Sequence, residues 1–169
     1  DLAILLHRGQ LVSGALLPPI DSYRLLQDVK TLALRLERQQ QNARKLIDFL
    51  SERPEVEKIF YAGSSSEEQA EVQSRQARGI GSVFSLLLKN GGDAQAFARS
   101  LPIFVNAVSL GGIESLVSLP AHTTHGAYAQ EHRDEFGVDD RLVRLAIGIE
   151  DVQDLIAALE IGLKAAFVG

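Results

Sequence analysis

Apolar positions recur along this chain with two periods, and the change from one to the other marks its elements. Leu2, Leu5 and Leu6 stand at helical spacing, so residues 2–8 read as a short helix that Gly9 or Gly14 can end. Pro18 and Pro19 break any preceding helix and bias Leu17 to an extended conformation. From Asp21 onward, Leu25, Val29, Leu32, Leu36, Ala43, Leu46 and Leu50 fall three, four or seven apart and form one apolar stripe to about residue 51. With Asp21 or Ser22 as cap, this predicts a single rod of roughly 45 Å at 1.5 Å per residue. Its centre, ERQQQN, reads as polar nearly all round and therefore solvated. A helix of that length bridges two layers or two domains.

After Pro54 the period shortens to two. VEKIFYAG alternates at Val56, Lys58 and Phe60 and reads as a strand. Ser64, Ser65 and Ser66 form a loop and a cap cluster for a weakly amphipathic helix, EEQAEVQSRQAR. GSVFSLLLKNGGD carries the strongest β pattern. Val83, Ser85 and Leu87 share one face, Phe84, Leu86 and Leu88 the other, which predicts a strand covered on both sides. Asn90-Gly91-Gly92 stops it. Asp93 caps DAQAFARSL, with Phe97 buried, and PIFVNAVSL returns as a strand. Beyond Gly111-Gly112, ESLVSL is a short strand or extended segment ended by Pro120. AQEHRDEFG is an exposed helix closed by Gly137. LVRLAIGI is a strand, and Glu150 or Asp151 caps a last helix with Val152, Leu155, Ile156, Leu159 and Leu163 on one face. The order predicts an α+β fold: a roughly four-stranded, mainly antiparallel sheet with helices packed on it, preceded by a long linking helix. No glycine-rich strand-to-helix turn supports a Rossmann core, and no internal repeat is visible.

Composition narrows the function classes. The chain has 169 residues, enough for one domain with a real core. Its net charge is -5, and no Lys/Arg-rich tract offsets it, which argues against nucleic-acid binding. No apolar run reaches the roughly 18–20 residues of a membrane span, and no secretory signal pattern opens the chain. Cytoplasm is the default compartment. Cys is 0, which removes disulfides, thiolate metal sites and thiol nucleophiles. Met is 0 and the chain opens on Asp1, so it reads as an excised domain of a larger protein.

The segment 108–151 gathers the polar residues that stand out. Arg144 interrupts an apolar strand, facing away from Val143 and Leu145 on the side of Leu142 and Ala146. A semi-buried guanidinium needs an anion. Asp139 or Asp140 can supply it internally, or a ligand carboxylate can be gripped at two points. Ser109 precedes Leu110-Gly111-Gly112, where glycines let backbone approach a ligand, or simply end a strand. Thr123, Thr124 and His125 form a polar cluster with His122. In an extended segment the two histidines point to opposite faces, so metal binding is not expected. Lys30, Lys45, Lys58, Lys89 and Lys164 all read as surface charge, and none has the desolvated setting of an imine-forming lysine. By its own residues the chain looks like a binding half-site, not a complete catalyst.

At these residues the chain closely resembles the Cys/Met metabolism family of pyridoxal-phosphate enzymes, which includes cystathionine synthases and lyases, methionine γ-lyase and the O-acylhomoserine sulfhydrylases. The resemblance rests on LLQDVKTLALRLERQQQNARKLIDFL, VEKIFYAG, VSLGGIESLVSLPAHTTH and DRLVRLAIGIEDVQDLIAALE, which together cover nearly the whole chain. It implies the small C-terminal domain of a fold-type I enzyme. Residues 1–169 would be that domain alone, with 1–51 a helical entry and 52–169 an α/β sandwich. Pyridoxal phosphate and its lysine would belong to a preceding N-terminal domain. The resemblance assigns Ser109, Thr124 and Arg144 to the substrate's α-carboxylate, and no catalytic residue to this chain. It also implies a sulfur amino-acid substrate, packing on the chain's own N-terminal domain and a homo-oligomer, in which the intact protein is a lyase or transferase. Departures are Gln27-Asp28 where many relatives carry Arg-Gly, and Ala62 where they carry Pro. Val108 stands where several cystathionine-handling enzymes carry Glu, and so resembles methionine γ-lyase or the sulfhydrylases as a specificity position. C–S cleavage of cystathionine or methionine is the leading expectation. The alternatives are γ-replacement on an activated homoserine and a stand-alone amino-acid-binding or assembly module.

Overall fold

The computed structural model describes residues 1–64 and 66–168; Ser65 of the expected cap cluster lies outside them. The chain divides into two compact units, Asp1–Leu34 and the remainder from Arg35. The first contains α1 (Leu2–Ser13) and α2 (Pro19–Val29). The Asp1 side chain accepts from the Ala3 amide, and Gly14 ends α1 in the left-handed region at φ 69°. The helix thus runs past Gly9 to the second of the two glycines. Pro19 opens α2 at a position that needs no N–H donor. Neither helix buries a residue.

The expected single rod is two helices. α3 spans Leu32–Ser51, and the chain turns at Lys30 and Thr31. There the amides of Lys30 and Thr31 donate to Gln27 O (3.2 Å) and Asp28 O (3.4 Å), three residues back instead of four. The Thr31 hydroxyl competes for the same Asp28 carbonyl. A second correction concerns ERQQQN. Gln39 and Asn42 are not solvated but 1% exposed, facing inward beside Ala43.

The second unit is a five-stranded sheet of order β1-β2-β5-β4-β3. Its strands are β1 (Val56–Phe60), β2 (Val83–Leu88), β3 (Val105–Asn106), β4 (Leu116–Ser118) and β5 (Leu142–Ala146). The pairings are antiparallel except β3 with β4, so the sheet is mixed but mainly antiparallel, as expected. The fifth strand is β4, which the sequence left open between a short strand and an extended segment, and the strand expected in PIFVNAVSL is only the two-residue β3. α3, α5 (Ala94–Ser100) and α7 (Val152–Ala166) cover one face. Leu46 and Leu50 of α3, Phe97 of α5 and Leu155 and Leu159 of α7 meet Phe84, Leu86, Val143 and Leu145 there. α4 (Glu67–Gln76), capped by Ser66, and α6 (Gln130–Glu135), followed by Gly137 at φ 68°, bury no residue. β2 is less covered than its composition suggests: Phe84, Leu86 and Leu88 are buried, while Val83, Ser85 and Leu87 are only half-buried. That second face carries the candidate site.

Candidate functional site

Arg144 sits in the middle strand of the sheet. Val143 and Leu145 enter the core, so the guanidinium leaves on the opposite face. Its neighbours across the ladder are Ser85 on β2 and Ser118 on β4. Directly paired residues of antiparallel strands share a face. Two small hydroxyl side chains therefore flank the long arginine and leave it room. Ser85 and Ser118 interrupt apolar runs in the sequence and were a readable signal for this row.

The internal ion pair that the sequence allowed is not made. Asp139 pairs with Arg141 at 2.7 Å, and Asp140 with Arg133 at 3.1 Å. The Arg141 guanidinium, hydrogen-bonded to Asp139, holds that carboxyl below the usual carboxylate range. Among the described residues no carboxylate pairs with Arg144. Its Nη2 donates instead to the carbonyls of Val108 (2.7 Å) and Ser109 (3.1 Å). Nε and Nη1 have no acceptor among the described residues. Either two-pronged face of a guanidinium includes Nη2. A carboxylate gripped at two points therefore shares that nitrogen with the loop carbonyls.

The loop between β3 and β4 is shaped for this approach. Gly111 adopts φ 81°, a conformation that disfavours any side chain. Ser109 is exposed, and Val108 is 49% exposed, beside the carbonyl that meets Arg144. Gln39 Nε2 donates to Gly112 O at 2.5 Å. Asn42 Nδ2 donates to Gly148 O (3.2 Å) and Glu150 O (2.9 Å). Glu150 does not cap α7. Its carboxylate accepts from the Ser115 amide and hydroxyl, and Asp151 takes the cap by accepting from the Gln153 amide. Gln39, Asn42, Ser115 and Glu150 were missed by sequence pattern, because polar residues on a helix or loop are read as outward-facing.

Thr124 is not hydrogen-bonded to Arg144 or Ser109. It lies in an exposed turn after a short 3-10 segment, Pro120–His122, that packs on β5. Its hydroxyl meets His125 Nδ1 at 2.9 Å. The His125 ring lies beside Tyr128 and Phe136 at 5.9 and 6.3 Å between centroids. Arg133 holds the same segment from below, donating to Ala121 O at 3.0 Å. His122 turns elsewhere, toward the Gln95 amide at 3.4 Å.

A model of the Cys/Met metabolism PLP-dependent enzymes matches residues 3–164. The chain belongs to this family. It is 40% identical over 154 residues to L-methionine gamma-lyase of Fusobacterium nucleatum, covering 90% of this chain and 39% of that protein. It is 41% identical over 151 residues to cystathionine gamma-lyase of Bacillus subtilis, covering 89% and 40%. The family member thus spans about two fifths of the length of the curated relatives it matches. Among solved structures it superposes on cystathionine gamma-lyase from Micromonospora echinospora with a TM-score of 0.90 at 33% identity, over 97% of this chain and 43% of that one. It superposes on the Lactobacillus plantarum cystathionine gamma-lyase complexed with L-serine with a TM-score of 0.85 at 37% identity, over 93% and 41%. The fold is that of the small domain of such enzymes, as expected.

The family is PLP-dependent, so the fit of this family member's residues to the cofactor matters. A pyridoxal aldehyde needs an amine held in a desolvated setting. Lys30, Lys45, Lys58, Lys89 and Lys164 are all exposed. The described residues do not provide that setting.

Proposed function

We propose that this chain is the part of a PLP-dependent C–S lyase that binds the α-carboxylate of a sulfur amino acid, cystathionine or methionine. The carrying observation is Arg144, half-buried, without a carboxylate partner among the described residues and with Nε and Nη1 unclaimed. In this reading the guanidinium neutralises the carboxylate and Ser109 adds a hydroxyl at the same loop. Thr124 is the third member and acts from the neighbouring turn. Fixing the carboxylate fixes the orientation of the α-carbon, whose proton then faces one direction only. Val108 lines the entrance as an apolar specificity residue. The cofactor, with the lysine that binds it, would be held by the portion of the longer enzyme that this chain does not include. That portion and further copies of the chain would be its partners. Exposed leucines along residues 2–34 support such a surface. The names of the relatives favour cleavage over replacement, and the L-serine complex of one of them fits an amino-acid carboxylate.

The test is an assay of the full-length enzyme with its cofactor. Ammonia and a 2-oxo acid released from cystathionine or methionine support the lyase. Thioether formation from an O-acylhomoserine, with no oxo acid, would replace it by a γ-replacement enzyme. Titration of this chain alone with L-methionine or L-cystathionine should give no heat at millimolar ligand, because one half-site offers too few contacts. Tight binding abolished by Arg144→Ala would instead make the chain a stand-alone amino-acid-binding module.

A further inference from the structure

Gln39 and Asn42 are as buried as the core leucines, at 1% exposure each. A buried amide is costly unless its N–H groups find acceptors. Both find them in non-local backbone: Gly112 for Gln39, and Gly148 and Glu150 for Asn42. These bonds place α3 at the base of two loops that leave the sheet. The first loop is firmly fixed at its ends. The Ala107 amide donates to Val117 O at 3.1 Å, and Ile113 O accepts from the Ile149 amide at 2.9 Å. Ser115 is locked to Glu150. Between those anchors the described hydrogen bonds hold the loop backbone at two places: Arg144 at Val108 and Ser109, and Gln39 at Gly112. The segment 108–112 is short and contains Gly111 and Gly112. Releasing one clamp frees the backbone that the other clamp depends on.

We propose that Gln39 is a positioning residue for carboxylate recognition. By holding the Gly112 carbonyl it sets the pose of residues 108–112, and so the two carbonyls that aim Arg144. The proposal rests on the carboxylate reading of Arg144 given above. Only the amide nitrogen of Gln39 can face a carbonyl, so the contact has one polarity.

The test is a double-mutant cycle in the full-length, cofactor-loaded enzyme with L-methionine or L-cystathionine as substrate. Gln39→Leu should raise KM by at least about fivefold and leave kcat within about twofold. In an Arg144→Lys background the same change should move KM by less than about twofold, because the residue it acts through is already altered. An unchanged KM, an equal rise in both backgrounds, or a fall in kcat alone would overturn the proposal. If Arg144→Lys by itself leaves kcat/KM unchanged, the carboxylate reading fails first, and that result is distinct from a silent Gln39→Leu beside an impaired Arg144→Lys. If Gln39→Leu does not fold, Gln39→Glu replaces it. Burial raises the pKa of that acid, and its protonated form can still donate to Gly112. Its KM relative to wild type should then fall toward one as pH is lowered. A ratio independent of pH would reject the hydrogen bond as the cause.

Discussion

At the scale of single residues, Arg144 and Arg141 lie three positions apart and have opposite circumstances. Arg141 is fully engaged, with Asp139, Glu57 and the Leu88 carbonyl around it. Arg144 meets only carbonyls. On the carboxylate reading, Arg144→Lys exchanges a planar fork for a point charge. It should lower kcat/KM by about 10–100-fold, the worth of one or two charge-assisted hydrogen bonds, mainly through KM. Steady-state kinetics on the full-length enzyme decide it, and unchanged kinetics reject the clamp. Asp139 makes a different prediction. Its folded pKa lies below the unfolded value because the hydrogen bond from Arg141 favours the charged form. A depressed carboxyl contributes stability that is present above the unfolded value, about 3.9, and is lost as pH falls through the folded one. Asp139→Asn should therefore lower the denaturation midpoint at pH about 7, and the gap to wild type should shrink as pH falls below the unfolded value of about 3.9. A constant gap across that range would show that the pair's ionisation contributes nothing. The sequence exposed Arg144 as an oddity but left its partner open between Asp139 and Asp140. Both carboxylates turned out to be committed to neighbouring arginines, a fact of packing that spacing does not encode.

At the scale of elements, period located β2, β5 and α7, because each has a face that must leave water, and the Asp93 cap located α5. It failed on α3 for a definable reason. Hydrophobic periodicity counts Gln39 and Asn42 as polar and turns them outward, yet each has a backbone carbonyl waiting some seventy or more residues later in the chain. The break at Lys30–Thr31 was equally hidden, since the apolar stripe continues through it and the turn depends on where three carbonyl bonds point. These loop ties make α3 a strut as well as a core helix. Asn42→Ala removes two acceptor-matched N–H groups: the buried Gly148 carbonyl loses its partner, while the part-buried Glu150 carbonyl keeps only the Arg38 guanidinium at 3.4 Å. It should destabilise the chain by about 1–3 kcal/mol in urea unfolding, and a change within error would mean water replaces the amide freely. The turn after β5 is equally tight. A Cβ on Gly148 would lie 2.2 Å from Ile113 O, a backbone atom that cannot swing aside. Gly148→Ala should cost about 1–3 kcal/mol or more by overpacking. Unaltered stability would mean that the 113–115 segment yields without loss, contrary to its hydrogen bonding.

At the scale of the whole molecule, the two compact units differ in what holds them. The unit from Arg35 has a continuous core across the sheet and three helices. The unit Asp1–Leu34 has none: Leu2, Val12 and Leu34 are 70%, 90% and 69% exposed. Helices of 12 and 11 residues are marginal in water without a packed face. Apolar exposure on this scale is how protein-binding surfaces read. Hydrogen exchange should therefore split the chain. Amides of α1 and α2 should exchange at rates close to those of unstructured peptide, and those of β2, β5 and α7 only through near-global opening. Uniform protection would show that the first unit is stable by itself. If the same measurement is made on the full-length enzyme, α1 and α2 should become protected, because the proposed partner surface is then covered. Continued rapid exchange there would reject the reading of residues 2–34 as a surface for the rest of the enzyme, while leaving the Arg144 site untouched.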